Sequence, residues 1–182
     1  MFQIAKQFTD SAKELKKLKT IVFTALLIAI GIVLGQFSIQ ITQSMKIGIS
    51  FIATQLTAML FGPVVGGIMG GVTDILKFII KPTGPFLLGY TISAMLGPII
   101  YGILLYKKPI SFWRILISKA IVAVLVNLLF GSFLQAHYFG AAFFALLPAK
   151  LIQQAIQVPI QSILFYVVVL PLKKAKLFQM VE

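Results

Sequence analysis

The chain has 182 residues, of which 59% are hydrophobic and only 11% charged, and it contains no cysteine. Soluble domains carry about 25% charged residues, so a water-soluble globule is excluded and lipid must solvate much of the surface. Disulfides and thiolate metal sites are excluded too, and the net charge of +12 is accounted for by membrane orientation without nucleic acid as a partner.

The length suits one membrane domain over 1–182. Residues 1–19 predict an amphipathic helix lying in the membrane interface, with Ile4, Phe8, Leu15 and Leu18 on one face and Lys6, Lys13, Lys16, Lys17 and Lys19 around it. The first apolar run, Thr20 to about Leu34, lacks a small-residue cleavage site and reads as a retained span. A polar stretch from Gln36 to Lys46 follows. The second run, Ile47 to Leu60, is short enough to be either a span or a re-entrant segment. Phe61-Gly62-Pro63 breaks it.

The third span runs from Val64 to about Ile80, and Lys81-Pro82-Thr83-Gly84-Pro85 ends it. The fourth covers Phe86 to Tyr106 and stops at Lys107-Lys108-Pro109. The fifth extends from about Ile110 to Leu134, and the sixth from about Pro148 to Leu170. An aromatic connection with His137, Tyr138, Phe139, Phe143 and Phe144 joins them, and 173–182 forms a basic tail.

Charge decides the span count. Twelve of the sixteen basic residues fall in three groups: Lys6 to Lys19; Lys107, Lys108, Arg114 and Lys119; and Lys173, Lys174 and Lys176. The positive-inside rule places all three on the cytoplasmic side. Four crossings before Lys107 and two after Arg114 satisfy it, so the expectation is an all-α, six-transmembrane-helix bundle with both termini cytoplasmic.

The other lysines, Lys46, Lys77, Lys81 and Lys150, then lie near outer helix ends. Asp74 is the one carboxylate inside the expected bundle. It either pairs with Lys77 one turn on or binds ligand, since ionisable groups in membrane spans are costly. The lysines, amides (Gln36, Gln43, Asn127, Gln135, Gln153, Gln154) and aromatics (Phe86, Tyr90, Phe133, Tyr138, Phe143) together suit a flat, hydrogen-bonding, anionic small molecule. Snorkelling lysines and an interfacial aromatic belt are the simpler reading of the same residues. Small pairs four apart, Gly66/Gly70, Gly67/Gly71 and Ala25/Ala29, permit close helix approach. No paired carboxylates or metal-ligand cluster is present, and Gly62 to Gly67 lacks the Gly-Lys-Ser/Thr ending of a phosphate loop. Enzyme chemistry, a metal and a cofactor are therefore not expected.

The ordered set Leu60-Phe61-Gly62-Pro63-Val64-Val65-Gly66-Gly67, Asp74, Pro82-Thr83-Gly84-Pro85-Phe86, Gly89-Tyr90-Thr91-Ile92-Ser93-Ala94 and Tyr101-Gly102 resembles the substrate-binding S components of energy-coupling factor (ECF) vitamin transporters, most closely the folate family. The resemblance covers about Ala12 to Leu172. It implies a six-helix protein of the bacterial cell membrane that binds a vitamin near the outer face. It implies association with a transmembrane scaffold subunit and two ATPase subunits, and toppling in the bilayer to deliver the ligand inward. Ala25 and Ala29 resemble the alanine motif that docks on the scaffold. Gln36, Lys46, Asp74, Lys77, Tyr90, Asn127 and Lys150 are the candidate ligand-facing residues. The first loop reads Gly35-Gln36-Phe37-Ser38-Ile39 where folate-type members often have arginine for Gln36. Glutamine cannot replace a bidentate carboxylate clamp, which keeps a neutral vitamin such as pyridoxine or hydroxymethylpyrimidine open. An ion-coupled secondary transporter and a ligand-free membrane scaffold are the more distant alternatives.

Overall fold

The computed structural model describes residues 2–37, 39–42, 45–82, 85–140 and 142–174, without the side chains of 2, 3, 39–42, 45–47 and 174. The elements in chain order are α1 (Phe2–Glu14), α2 (Leu18–Gln36), β1 (Ile39–Thr42), β2 (Met45–Ile47), α3 (Phe51–Ile80), α4 (Leu88–Leu105), α5 (Phe112–Val122), a π-helical segment (Ala123–Phe130), α6 (Gly131–Phe139) and α7 (Phe143–Lys174). The π-helical segment joins α5 to α6 as one rod, Phe112–Phe139. That rod and α2, α3, α4 and α7 are each long and apolar enough to cross a membrane. The two short strands pair antiparallel within the polar stretch after α2.

α3 is two arms. Gly62 has φ 89° and ψ −174°, a backbone conformation that only glycine adopts without strain. Pro63 follows and has no N–H to donate back into the first arm. Residues eight apart on a straight helix are about 12 Å apart. Here a Cβ placed on Gly66 would lie 2.8 Å from the Ala58 Cβ. The chain therefore folds back at Gly62–Pro63, where the sequence places its break. The first arm, Phe51 to Phe61, is only about 16 Å long, so Phe51 sits about half a bilayer from the elbow.

α1 seals this elbow. Ser11 is fully buried; its hydroxyl donates to the Phe61 carbonyl (2.7 Å) and accepts from the N–H groups of Val64 (3.0 Å) and Val65 (3.3 Å). Those are backbone groups that the break strands without helical partners. Lys107 adds a 3.0 Å ion pair to Asp10 from the α4–α5 connection. Leu15 packs against the core while Ile4 and Leu18 are exposed. The expected amphipathic helix is realised over Phe2–Glu14 and docks on the bundle, whereas Leu18 and Lys19 belong to α2.

The second arm of α3 packs antiparallel on α4. Gly70 lies against the Ala94 carbonyl and Gly67 against Ile99, where side chains would collide with α4. The glycine face is consumed inside the bundle. The apolar core fills the elbow end, around Phe61, Val65, Tyr101, Ile115 and Phe165. The opposite end stays open.

Three expectations need correction. Lys119 is not a surface charge of the α4–α5 connection: it is 5% exposed, with its ammonium 3.8 Å from the Phe51 ring centroid and 5.3 Å from that of Tyr101. Two aromatic faces there take the place of water. His137 lies in the last turn of α6 rather than in a loop. Pro148 does not begin the last helix, which starts at Phe143 and carries Pro148, Pro159 and Pro171 within it.

Candidate ligand-binding site

The open end is bordered by the C-terminal turns of α2 and α3, the start of α4, the far half of the Phe112–Phe139 rod and the start of α7. A hollow of about 750 Å³ lies between α2, α3, α4 and α6, with Gln36, Asp74, Lys77, Lys81, Tyr90 and Gln135 in its walls. A smaller hollow of about 280 Å³ shares Asp74 and Lys77 and reaches Asn127 and Thr73. A third, of about 420 Å³, shares Tyr90, Gln135, Ser93 and Asn127 and is edged by Lys150, Gln153 and Gln154. The shared residues make the three one continuous site. Of the seven candidate residues, six therefore gather here. Lys46 falls on β2, and its side chain lies outside the described residues.

The charged residues lining the three hollows are Lys77, Lys81, Lys150 and Asp74, three cations to one carboxylate. Asp74 and Lys77 do not form the intrahelical ion pair that their spacing allows. Asp74 Oδ2 accepts from Thr91 Oγ1 at 2.8 Å. Lys77 Nζ reaches across the mouth to Ser50 Oγ (2.6 Å), whose hydroxyl donates to the Gly31 carbonyl (2.6 Å). A Cβ on Gly35 would lie 3.2 Å from Lys77 Cε, so the close approach of α2 fixes the lysine stem. This relay ties α2, the segment before α3 and α3 together at the rim.

Amides and rings complete the walls. Asn127 Nδ2 donates to Gln154 Oε1 at 3.2 Å, linking the rod to α7. Asn127 sits in the π-helical turn, whose extra residue per turn re-aims its side chains, as is frequent at functional sites. A Cβ on Gly131 would meet Lys150 Nζ at 3.5 Å. Phe78 and Phe86 pack 5.2 Å apart between ring centroids. Tyr90 lies 6.5 Å from Tyr138, which also meets the edge of His137 at 5.1 Å. No group of three or more metal-ligating side chains occurs among the described residues.

Sequence reasoning missed Ser50 and Thr91, because a lone hydroxyl carries no signal until its partner across the fold is known. It did not single out Lys81, a member of the wall beside Phe78, as ligand-facing. Ala25 and Ala29 line none of the three hollows. Both are exposed on α2, in a stripe with Val22, Leu26 and Val33.

A multi-span helical bundle with a cationic, amide- and ring-lined hollow at one end is a membrane-embedded receptor for a small polar molecule. The profile of the family described as "ECF transporter, substrate-specific component" matches residues 19–169, and the chain belongs to that family: it is a transporter's substrate-specific subunit, a multi-pass membrane protein and not an enzyme. It is 37% identical over 153 residues to a protein named folate transporter FolT from Clostridium novyi (strain NT), covering 84% of this chain and 88% of that one. It is 27% identical over 148 residues to a FolT from Streptococcus mutans serotype c, covering 78% and 80%. Its fold is similar to the structure titled "Crystal structure of FolT bound with folic acid", with a TM-score of 0.75, 31% identity and coverage of 84% of this chain and 93% of that one.

Proposed function

We propose that this chain is the folate-capturing subunit of an ECF importer in a bacterial cell membrane. The observation that carries the proposal is the agreement between the site's chemistry and the FolT similarity: a hollow of about 750 Å³ edged by lysines, in a chain 37% identical to a folate transporter. That volume lies within the ordinary range for small-molecule sites. Folate is a flat pterin joined through an aminobenzoyl ring to a glutamate with two carboxylates. Phe86, Tyr90 and Phe139 supply ring faces, Lys77, Lys81 and Lys150 attract the carboxylates, and Asp74 Oδ1 accepts from a pterin N–H. Gln36 adds an amide where an arginine clamp is absent, and the three lysines supply the missing positive charge.

The chain crosses the membrane six times, the second crossing made by the first arm of α3 together with the segment that leads into it, with both termini cytoplasmic and the hollow outward. Capture is followed by docking of the Ala25/Ala29 stripe on the transmembrane scaffold, which carries two ATPase subunits. ATP-driven cycling of that module releases the vitamin inward. The glycine faces of α3 are used internally, whereas the alanine stripe of α2 is exposed and available to a partner.

Mass spectrometry of the small molecules released from the purified protein tests the assignment. A folate is expected. Recovery of pyridoxine or a hydroxymethylpyrimidine instead would keep the family and overturn the ligand.

A further inference from the structure

A second cavity, of about 590 Å³, lies at the end of the bundle opposite the ligand site, between α1, the α3 elbow, the α4–α5 connection and the end of α7. Four lysines from three separate parts of the chain face it: Lys17, Lys107, Lys108 and Lys173. Two have carboxylate partners. Lys17 pairs with Glu14 at 2.8 Å and Lys107 with Asp10 at 3.0 Å. Lys108 donates only to the neutral Ile103 carbonyl, at 2.9 Å. Lys173 has no carboxylate within ion-pair distance among the described residues. Two ammonium groups thus face the cavity without a carboxylate of their own, since the Glu14 carboxylate that also lines it is held by Lys17. Beneath them the wall is apolar: Met59, Leu60 and Leu105.

We propose that this cavity binds the headgroup phosphate of an anionic phospholipid, such as phosphatidylglycerol. The two uncompensated lysines match a phosphodiester, and basic pockets between membrane helices are suited to lipid headgroups. The apolar wall favours a lipid over free phosphate, which would leave it wet. Nearby, Trp113 is 69% and Leu18 76% exposed, an aromatic and an aliphatic anchor that set this end at headgroup depth. A lipid held here bridges α1 to α7, which no ion pair among the described residues connects.

Native mass spectrometry of the full chain, released from nanodiscs of equal phosphatidylglycerol and phosphatidylcholine, tests this. The wild type retains about one phosphatidylglycerol and no phosphatidylcholine. The double variant Lys108→Gln/Lys173→Gln binds phosphatidylglycerol about 25-fold more weakly, at about fivefold per lysine. Lys6→Gln/Lys13→Gln, outside the cavity, changes it less than twofold. Folate titration of each variant shows that it is folded and keeps this question separate from the ligand assignment. Equal retention of both lipids, equal loss from both double variants, or displacement by millimolar inorganic phosphate would overturn the proposal. So would absence of retained lipid, the result expected if a protein partner fills the cavity instead.

Discussion

Lys77 is the residue whose removal should cost most at the ligand site. Its ammonium sits at the rim, held by Ser50 Oγ at 2.6 Å and pressed by α2 at Gly35. It is positioned before ligand arrives. Lys77→Gln removes the charge but keeps a donor of similar reach. A hydrogen bond to a charged group contributes about 1.5–3 kcal/mol, so folate affinity should fall about 10- to 150-fold. Lys77→Arg should retain most of it. Ser50→Ala separates charge from tether: it removes the relay to the Gly31 carbonyl yet leaves the ammonium. Its expected loss is under tenfold, mostly as faster dissociation. Titration calorimetry at two salt concentrations reads all three variants. If Lys77→Gln bound folate within twofold of wild type while remaining folded, the electrostatic account of this rim would be wrong.

Other perturbations probe the frame and its partner surface. Ser11→Ala strands the Phe61 carbonyl and the Val64 and Val65 N–H groups, and should destabilise the protein by about 1–3 kcal/mol, read as an earlier unfolding midpoint in detergent. Ala25→Leu with Ala29→Leu should leave folate affinity unchanged and abolish uptake by the assembled transporter; normal uptake would remove the alanine stripe from the docking surface. Lys107 bonds Asp10 and holds its carboxyl below the usual value of 3.8, while Asp10 raises Lys107 above its usual 10.5. The lowered carboxyl contributes stability above its unfolded pKa that is lost as pH falls through its folded one. The raised ammonium contributes below its unfolded pKa and loses it as pH rises through its folded one. Hydrogen exchange in α1 should therefore be slower in wild type than in Asp10→Asn between about pH 4 and 10, with a difference that shrinks as pH falls through the lowered carboxyl value; a difference that does not change with pH would assign the effect to something other than this pair.

Much of this architecture is legible in the sequence because membrane chains punctuate themselves. Gly62-Pro63, Lys81-Pro82 and Lys107-Lys108-Pro109 each fall where the structure bends or leaves a helix. What could not be read depends on partners distant in sequence. Ser11 is one serine in a lysine-rich helix until Phe61, fifty residues on, needs its hydroxyl. Lys119 counted as one more basic residue beside Arg114, since a cation–π partnership with Phe51 leaves no trace in spacing. Pro148 and Pro171 flank the expected last span, although α7 runs through both, because neighbouring helices can satisfy the carbonyls that proline frees. At the ligand site the residue types were readable and the pairing was not: Asp74 and Lys77 are one turn apart, yet each bonds a hydroxyl from elsewhere.

Calorimetric titration of the purified, ligand-free protein with folate, then with pyridoxine and hydroxymethylpyrimidine, tests the central claim most directly. Intrinsic fluorescence would serve poorly, since the one tryptophan, Trp113, begins the rod at the end away from the hollow. The account predicts one folate per chain, bound tightly, with affinity falling as salt rises and no heat from either neutral vitamin. Saturable binding of a neutral vitamin with none of folate would contradict it.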